Sequence, residues 1–164
     1  MPVSPVISDN TPLVALWILG RLDILRDLYG QVLIPQAVHD EFLATEQARR
    51  QAALDKAPWI KVGSLANPKR TLIYIGLDQG EAEVLALAEE QSARLVIIDE
   101  RKGRRYAKRL GLPLTGTLGV LLLAKEKGLI LAVAPLIKEL QRAGLHLGSK
   151  LVAKVLQLAG EETN

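Results

Sequence analysis

Two aspartates occupy the same kind of position far apart in the chain. Asp9 follows the apolar run Val6-Ile7-Ser8, and Asp99 follows Leu95-Val96-Ile97-Ile98. Both runs read as short strands, and a helix-forming segment starts directly after each acid. Each carboxylate therefore stands at the C-terminal end of a strand, the edge at which open α/β sheets bind ligands. Thr11 reads as the N-cap of the first helix and Pro12 as its first position, where no N–H is needed. The other role open to Asp9 is to cap that helix or close a turn. If the two strands are neighbours, the acids meet at one sheet edge.

Two glutamates are further candidates. Glu41 has Ala37, Val38, Ala44 and Thr45 at helical spacing, which puts it on the inward face of its helix. Glu81 has Val84, Leu85 and Ala88 on its stripe, although Asp78 to Glu81 also has the spacing of a capping box. Glu83 is an alternative inward acid, and Glu83 or Glu100 could join or replace Glu81. Carboxylates converging on a partly buried site repel one another, and a divalent cation removes that cost. Oxygen ligands in a chain without cysteine select Mg²⁺ or Mn²⁺ over zinc. The metal ligands expected are Asp9, Asp99, Glu41 and Glu81. Such a site can bind a phosphodiester, activate a water and stabilise the leaving oxygen. Thr11 could support it with a hydroxyl.

Arg101, Lys102, Arg104, Arg105, Lys108 and Arg109 begin just past Asp99, on a helix whose Gly103, Tyr106, Ala107 and Leu110 leave an apolar docking side. Cations beside a metal site suit a phosphate backbone. We take Arg101, Lys102, Arg104, Arg105 and Lys108 as the candidate nucleic-acid contacts. Aromatic residues make up only 4% of the chain, so a path following backbone charge is better supplied than one of stacked bases.

The elements that must position these groups alternate. Helices are expected at 12–19, 21–28, from Pro35 towards Ala48, at 82–90, 101–110, 117–127, 132–143 and 149–159, and the polar stretch 46–56 is helix-prone. Strands are expected at 31–34, 59–62, 95–98 and 113–115, and 63–70 reads as a loop. That order predicts an α/β domain with a mostly parallel sheet and helices on both faces. The 164 residues suit one domain, with 1–130 as core and 131–164 as a helical extension packed on it. Net charge is +3, which permits nucleic acid without requiring it. The absence of cysteine excludes disulfides and thiolate metal sites. No run of about 18 apolar residues occurs, and no basic leader precedes the first apolar run, so no membrane span or signal peptide is expected and a cytoplasmic location is the default.

The segments Ile7-Ser8-Asp9-Asn10-Thr11-Pro12-Leu13, Leu33-Ile34-Pro35-Gln36-Ala37-Val38-His39-Asp40-Glu41, Leu77-Asp78-Gln79-Gly80-Glu81-Ala82-Glu83, Ile97-Ile98-Asp99-Glu100-Arg101-Lys102 and Thr115-Gly116-Thr117-Leu118-Gly119-Val120 together resemble the PIN-domain superfamily. The likeness is strongest to an uncharacterised bacterial and archaeal branch related to VapC-type toxins. The resemblance implies a three-layer α/β/α sandwich with a five-stranded parallel sheet, and a site of acids binding Mg²⁺ or Mn²⁺ for ribonuclease chemistry. By position it assigns catalysis to Asp9, Glu41, Glu81 and Asp99, with Thr11 at the small-hydroxyl position. It implies RNA as substrate, an antitoxin protein as partner and a homodimer. Many members carry Asp where this chain has Glu81, and Asn10 replaces a smaller residue. A module on the same scaffold that binds nucleic acid or protein without catalysis is the alternative.

Overall fold

A computed structural model describes residues 4–161. Five strands form one all-parallel sheet: β1 (Val6–Ser8), β2 (Val32–Pro35), β3 (Ile60–Gly63), β4 (Leu95–Ile97) and β5 (Leu114–Thr115), in the order β3-β2-β1-β4-β5. The strands are short and apolar because helices cover the sheet on both faces; Val6, Ile7, Val32, Ile34, Val96 and Ile97 are all fully buried. The result is a three-layer α/β/α sandwich.

The chain leaves β1 in one direction to reach β2 and β3, then crosses back to β4 and β5 on the other side. Right-handed crossovers place the helices of these two journeys on opposite faces. One layer holds α1 (Asn10–Ile18), α2 (Asp23–Tyr29) and α7 (Thr117–Glu126), which pack together. The other holds α5 (Gln79–Gln91) and α6 (Arg101–Arg109), also in mutual contact. Two further helices, α3 (Gln36–Phe42) and α4 (Gln47–Asp55), follow β2, and α3 packs on both α1 and α5. The last two, α8 (Ala134–Arg142) and α9 (Ser149–Leu158), insert Ile137, Leu140 and Val155 into the main core.

Several boundaries differ from the sequence reading. Helix α1 starts at Asn10, so Asp9 holds the N-cap position with extended backbone, and Thr11 and Pro12 are the second and third helical residues. The Thr11 hydroxyl therefore caps nothing. Pro35 ends β2 and stands before α3 rather than inside it. The helix expected to run towards Ala48 stops at Phe42; the chain turns through Glu46 at φ 47°, and the polar stretch 46–56 forms α4 as a separate helix. The loop expected at 63–70 ends in a 3₁₀ turn, Pro68–Ile73. Among the described residues no helix is long and apolar enough to cross a membrane.

Candidate active site

The strands carrying the two aspartates are neighbours. β1 and β4 pair in parallel with Ser8 opposite Ile97, and the Asp9 N–H donates to the Ile97 carbonyl at 2.9 Å. This is also where the sheet's winding reverses, so a crevice opens between the strand ends at a topological switch point. Asp9 and Asp99 stand on its two sides.

Asp9 is 6% exposed. Its carboxyl is pushed up to about 7, foremost by burial, with the Glu41, Asp78 and Asp99 charges adding; the Asn10 N–H pulls the other way. Its side chain makes no capping hydrogen bond to the helix it precedes. A buried carboxylate that neither caps nor pairs is costly to the fold, and this separates it from a structural helix cap.

Asp99 is held differently. Thr117 donates to it twice, from its N–H to Oδ1 at 2.8 Å and from its hydroxyl to Oδ2 at 2.5 Å. Gly116 is required beside it, since a Cβ there would collide with Oδ1. The Thr115-Gly116-Thr117 segment thus forms a seat for Asp99 at the start of α7. Thr117 is 1% exposed, and no role was assigned to it from the sequence.

Glu41 reaches the crevice from α3. The residue as a whole is exposed, not inward-facing as its apolar neighbours suggested, because α3 ends at Phe42 and Ala44 and Thr45 fall outside it. Its head is nonetheless turned to the site: Asn10 Nδ2 donates to Oε2 at 3.1 Å, and Oε1 lies 2.7 Å from where a Cβ on Gly80 would stand. Burial raises its carboxyl, Asp78 adds to the rise, and the Asn10 amide opposes it.

Glu81 enters from the first turn of α5. It is raised to about 8 by burial, then by Asp78, Asp9 and Glu100. Asp78 is the acid the sequence left out of the site. It caps α5 by accepting from the Glu81 N–H at 2.8 Å, and its charge is felt at Asp9, Glu41 and Glu81. The capping-box spacing was visible; its place beside Asp9 was not, because that depends on α5 packing against α3. Glu83 turns away to accept the Ala37 N–H at 3.0 Å, serving the start of α3. Glu100 caps α6 through the Gly103 N–H at 2.8 Å.

The donor set is all oxygen and dense in negative charge, the chemistry a hard divalent cation relieves. Asn10 adds a buried Oδ1 with no hydrogen-bond partner among the described residues, an acceptor that a metal-bound water would satisfy. These features fit such an ion. Among the described residues, however, no three His, Asp or Glu side chains stand close enough to grip one ion as they are. Asp9 and Asp99 would therefore hold it with waters, as Mg²⁺ prefers, and Glu41 and Glu81 would act from further out.

The cations border this site unevenly. Arg101, Arg104, Arg105 and Lys108 line a groove with Asp99, and Arg104 Nη1 also donates to the Ile98 carbonyl at 2.7 Å. Lys102 lies instead along Gly76, away from that groove. Thr11 is exposed on α1.

No curated protein matches the chain. A family model described as a PIN domain matches residues 5–161, a span that takes in every strand, all four candidate acids and both C-terminal helices. PIN domains are typically nucleases that use divalent metals, so this is a fold of the nuclease type. With acids at the switch point of a five-stranded parallel sheet and a match over nearly its whole length, the chain belongs to the PIN-domain family.

Proposed function

We propose that the protein is a metal-dependent endoribonuclease, acting as the toxin of a toxin–antitoxin pair. The observation that carries the reading is the convergence of Asp9, Glu41, Asp78, Glu81 and Asp99 at one crevice, two of them raised to about 7 and about 8. A fold retains such uncompensated charge where function needs it. A Mg²⁺ or Mn²⁺ ion bound there would supply Lewis acidity and a water of lowered pKa. Asp9 and Asp99 are its ligands in this reading. Thr117 fixes the orientation of Asp99, and Asn10 fixes that of Glu41. Glu81, held above its ordinary value by burial and by the Asp78, Asp9 and Glu100 charges, would be drawn back to its charged form by the bound cation and would orient the attacking water. The arginines of α6 bind flanking phosphates.

The test is incubation of single-stranded and structured RNA with and without Mn²⁺, comparing wild type with Asp99→Asn. Cleavage that needs Mn²⁺ and falls at least about 100-fold in the variant is expected. Equal cleavage by both proteins, or cleavage in chelator, overturns the assignment. RNA binding without any turnover would instead identify a module that binds and does not cut.

A further inference from the structure

The C-terminal helices supply the far wall of the groove that leads to Asp99. His146 and Lys150 face Arg101, Arg104, Arg105 and Lys108 of α6 across a space of about 830 Å³ that Asp99 also lines. Past Asp99 a second cleft of about 410 Å³ opens between β5, α7 and α9, and Asp99, Arg104 and Leu151 line both spaces. The sequence places its nucleic-acid contacts on α6 alone and 131–164 as an extension packed on the core.

The cations of this groove differ from several others on the molecule. Arg21, Arg26, Arg49, Arg70 and Lys125 are each held by a carboxylate. Among the described residues, none of Arg101, Arg104, Arg105, Lys108 or Lys150 is in an ion pair with an acid. They are gathered on two facing walls beside a site of acids, an arrangement complementary to a chain of phosphates.

Charge alone would serve a duplex as well as a single strand. The second cleft distinguishes them. It is walled by Leu114, Leu118, Leu122 and Val155, and Leu151 and Leu158 stand at its mouth, 53% and 62% exposed. A duplex keeps its base faces stacked inside and offers these leucines nothing, whereas a single strand can turn an unstacked base into an apolar slot.

We propose that the groove between α6 and α9 is the track of a single-stranded RNA. Its phosphates lie between the α6 arginines and Lys150, one base sits in the leucine-lined cleft beside Asp99, and Lys154, which lines that cleft, meets the backbone of that nucleotide. The proposal rests on the ribonuclease reading for the identity of the polyanion and adds to it a second wall, on α9, and an apolar seat for one base.

The experiment is fluorescence anisotropy in chelator, so that nothing is cut, with a labelled short single-stranded RNA and a matched duplex. The proteins are wild type, Lys150→Ala/Lys154→Ala, Leu151→Ser and, as a control of equal charge loss, Lys127→Ala/Lys138→Ala. All substituted side chains are exposed, so unchanged melting temperatures are expected. The Lys150/Lys154 variant should bind about 10-fold more weakly at 0.1 M salt and lose about 1 to 2 from its log–log salt slope. Leu151→Ser should weaken the single strand several-fold and leave the duplex unchanged. The control should bind as wild type. Wild-type affinity in the Lys150/Lys154 variant, indifference to Leu151, a duplex bound more tightly than the strand, or no RNA binding at all each overturns the proposal. Binding through this groove without Mn²⁺-dependent cleavage would sink the nuclease reading and leave the track standing. Cleavage lost in Asp99→Asn but indifferent to Lys150 and Lys154 would do the reverse.

Discussion

Thr117 grips both oxygens of Asp99, its N–H at 2.8 Å and its hydroxyl at 2.5 Å. The pair joins the end of β4 to the first residue of α7. Removing the hydroxyl leaves one oxygen of Asp99 free to rotate without opening the core. Thr117→Val should therefore reduce Mn²⁺ affinity and kcat by about 10-fold, with KM for RNA held, and Thr117→Ser should restore both. Titration calorimetry with Mn²⁺ alongside steady-state cleavage checks it. A Val variant equal to wild type would show that the seat is only structural.

Asp9 predicts a conflict between stability and activity. Its carboxyl is pushed up to about 7 by burial and neighbouring acids, so the folded, metal-free protein prefers it protonated. The stability this group contributes is full below its ordinary 3.8 and is lost as pH rises through about 7. Asp9→Asn should therefore melt on the order of 5 °C higher than wild type at pH 8 in chelator, while losing cleavage. The gap should narrow as pH is lowered towards 4, and also when Mn²⁺ is added to wild type. Differential scanning calorimetry at pH 5 and pH 8 reads both trends.

Gly80 sets the distance between α3 and α5 at the site. An added Cβ would come 2.7 Å from Glu41 Oε1, while its helical backbone accepts alanine without strain. Gly80→Ala should displace the Glu41 head and lower Mn²⁺-dependent cleavage several-fold, with the melting point within about 2 °C of wild type. A fall in melting point that parallels the loss of activity would point to disrupted packing instead.

How far the sequence carried this picture depended on whether the deciding contact was local. The strand–acid–helix pattern at Asp9 and Asp99 lies within a few residues and was legible. Their adjacency rests on β1 pairing with β4, a contact between segments far apart in the chain, and could only be assumed. Asp78 was visible as a cap and hidden as a site acid, since its second role arises from packing of α5 on α3. Glu41 was placed on the inward face from Ala37, Val38, Ala44 and Thr45; Val38 is buried as expected, but α3 ends at Phe42, so Ala44 and Thr45 never join that stripe and Glu41 is exposed. Arg50 shows the same limit in the scaffold. It reads as one charge in a polar helix, yet it is 9% exposed, donates to the Phe42 carbonyl and lies 4.6 Å from the Trp17 ring centroid.

Glu161 ties the end of the last helix back to the body. Burial pushes its carboxyl up, but the N–H groups of Val133 and Ala134 and the Lys125 ammonium pull it down and prevail. A lowered folded value means that the stabilisation is present above the ordinary 4.5 and is lost as pH falls below it. Glu161→Gln should melt a few degrees lower than wild type at pH 7, and the two should converge below about pH 4.5. If RNA runs along α9, the same substitution should also weaken RNA binding, since α9 would lose its anchor.

The hydrogen bond from the Asp9 N–H to the Ile97 carbonyl has a consequence for how such a molecule can diversify. The two aspartates leave the ends of paired neighbouring strands, whose backbones stand about 4.8 Å apart, and drift in surface segments cannot alter that pairing. That spacing is a fixed gauge. Glu41, Glu81 and the α9 wall ride on helices that can slide, so changes in cation size preference or in the nucleotide chosen would accumulate there while the aspartate pair stayed constant.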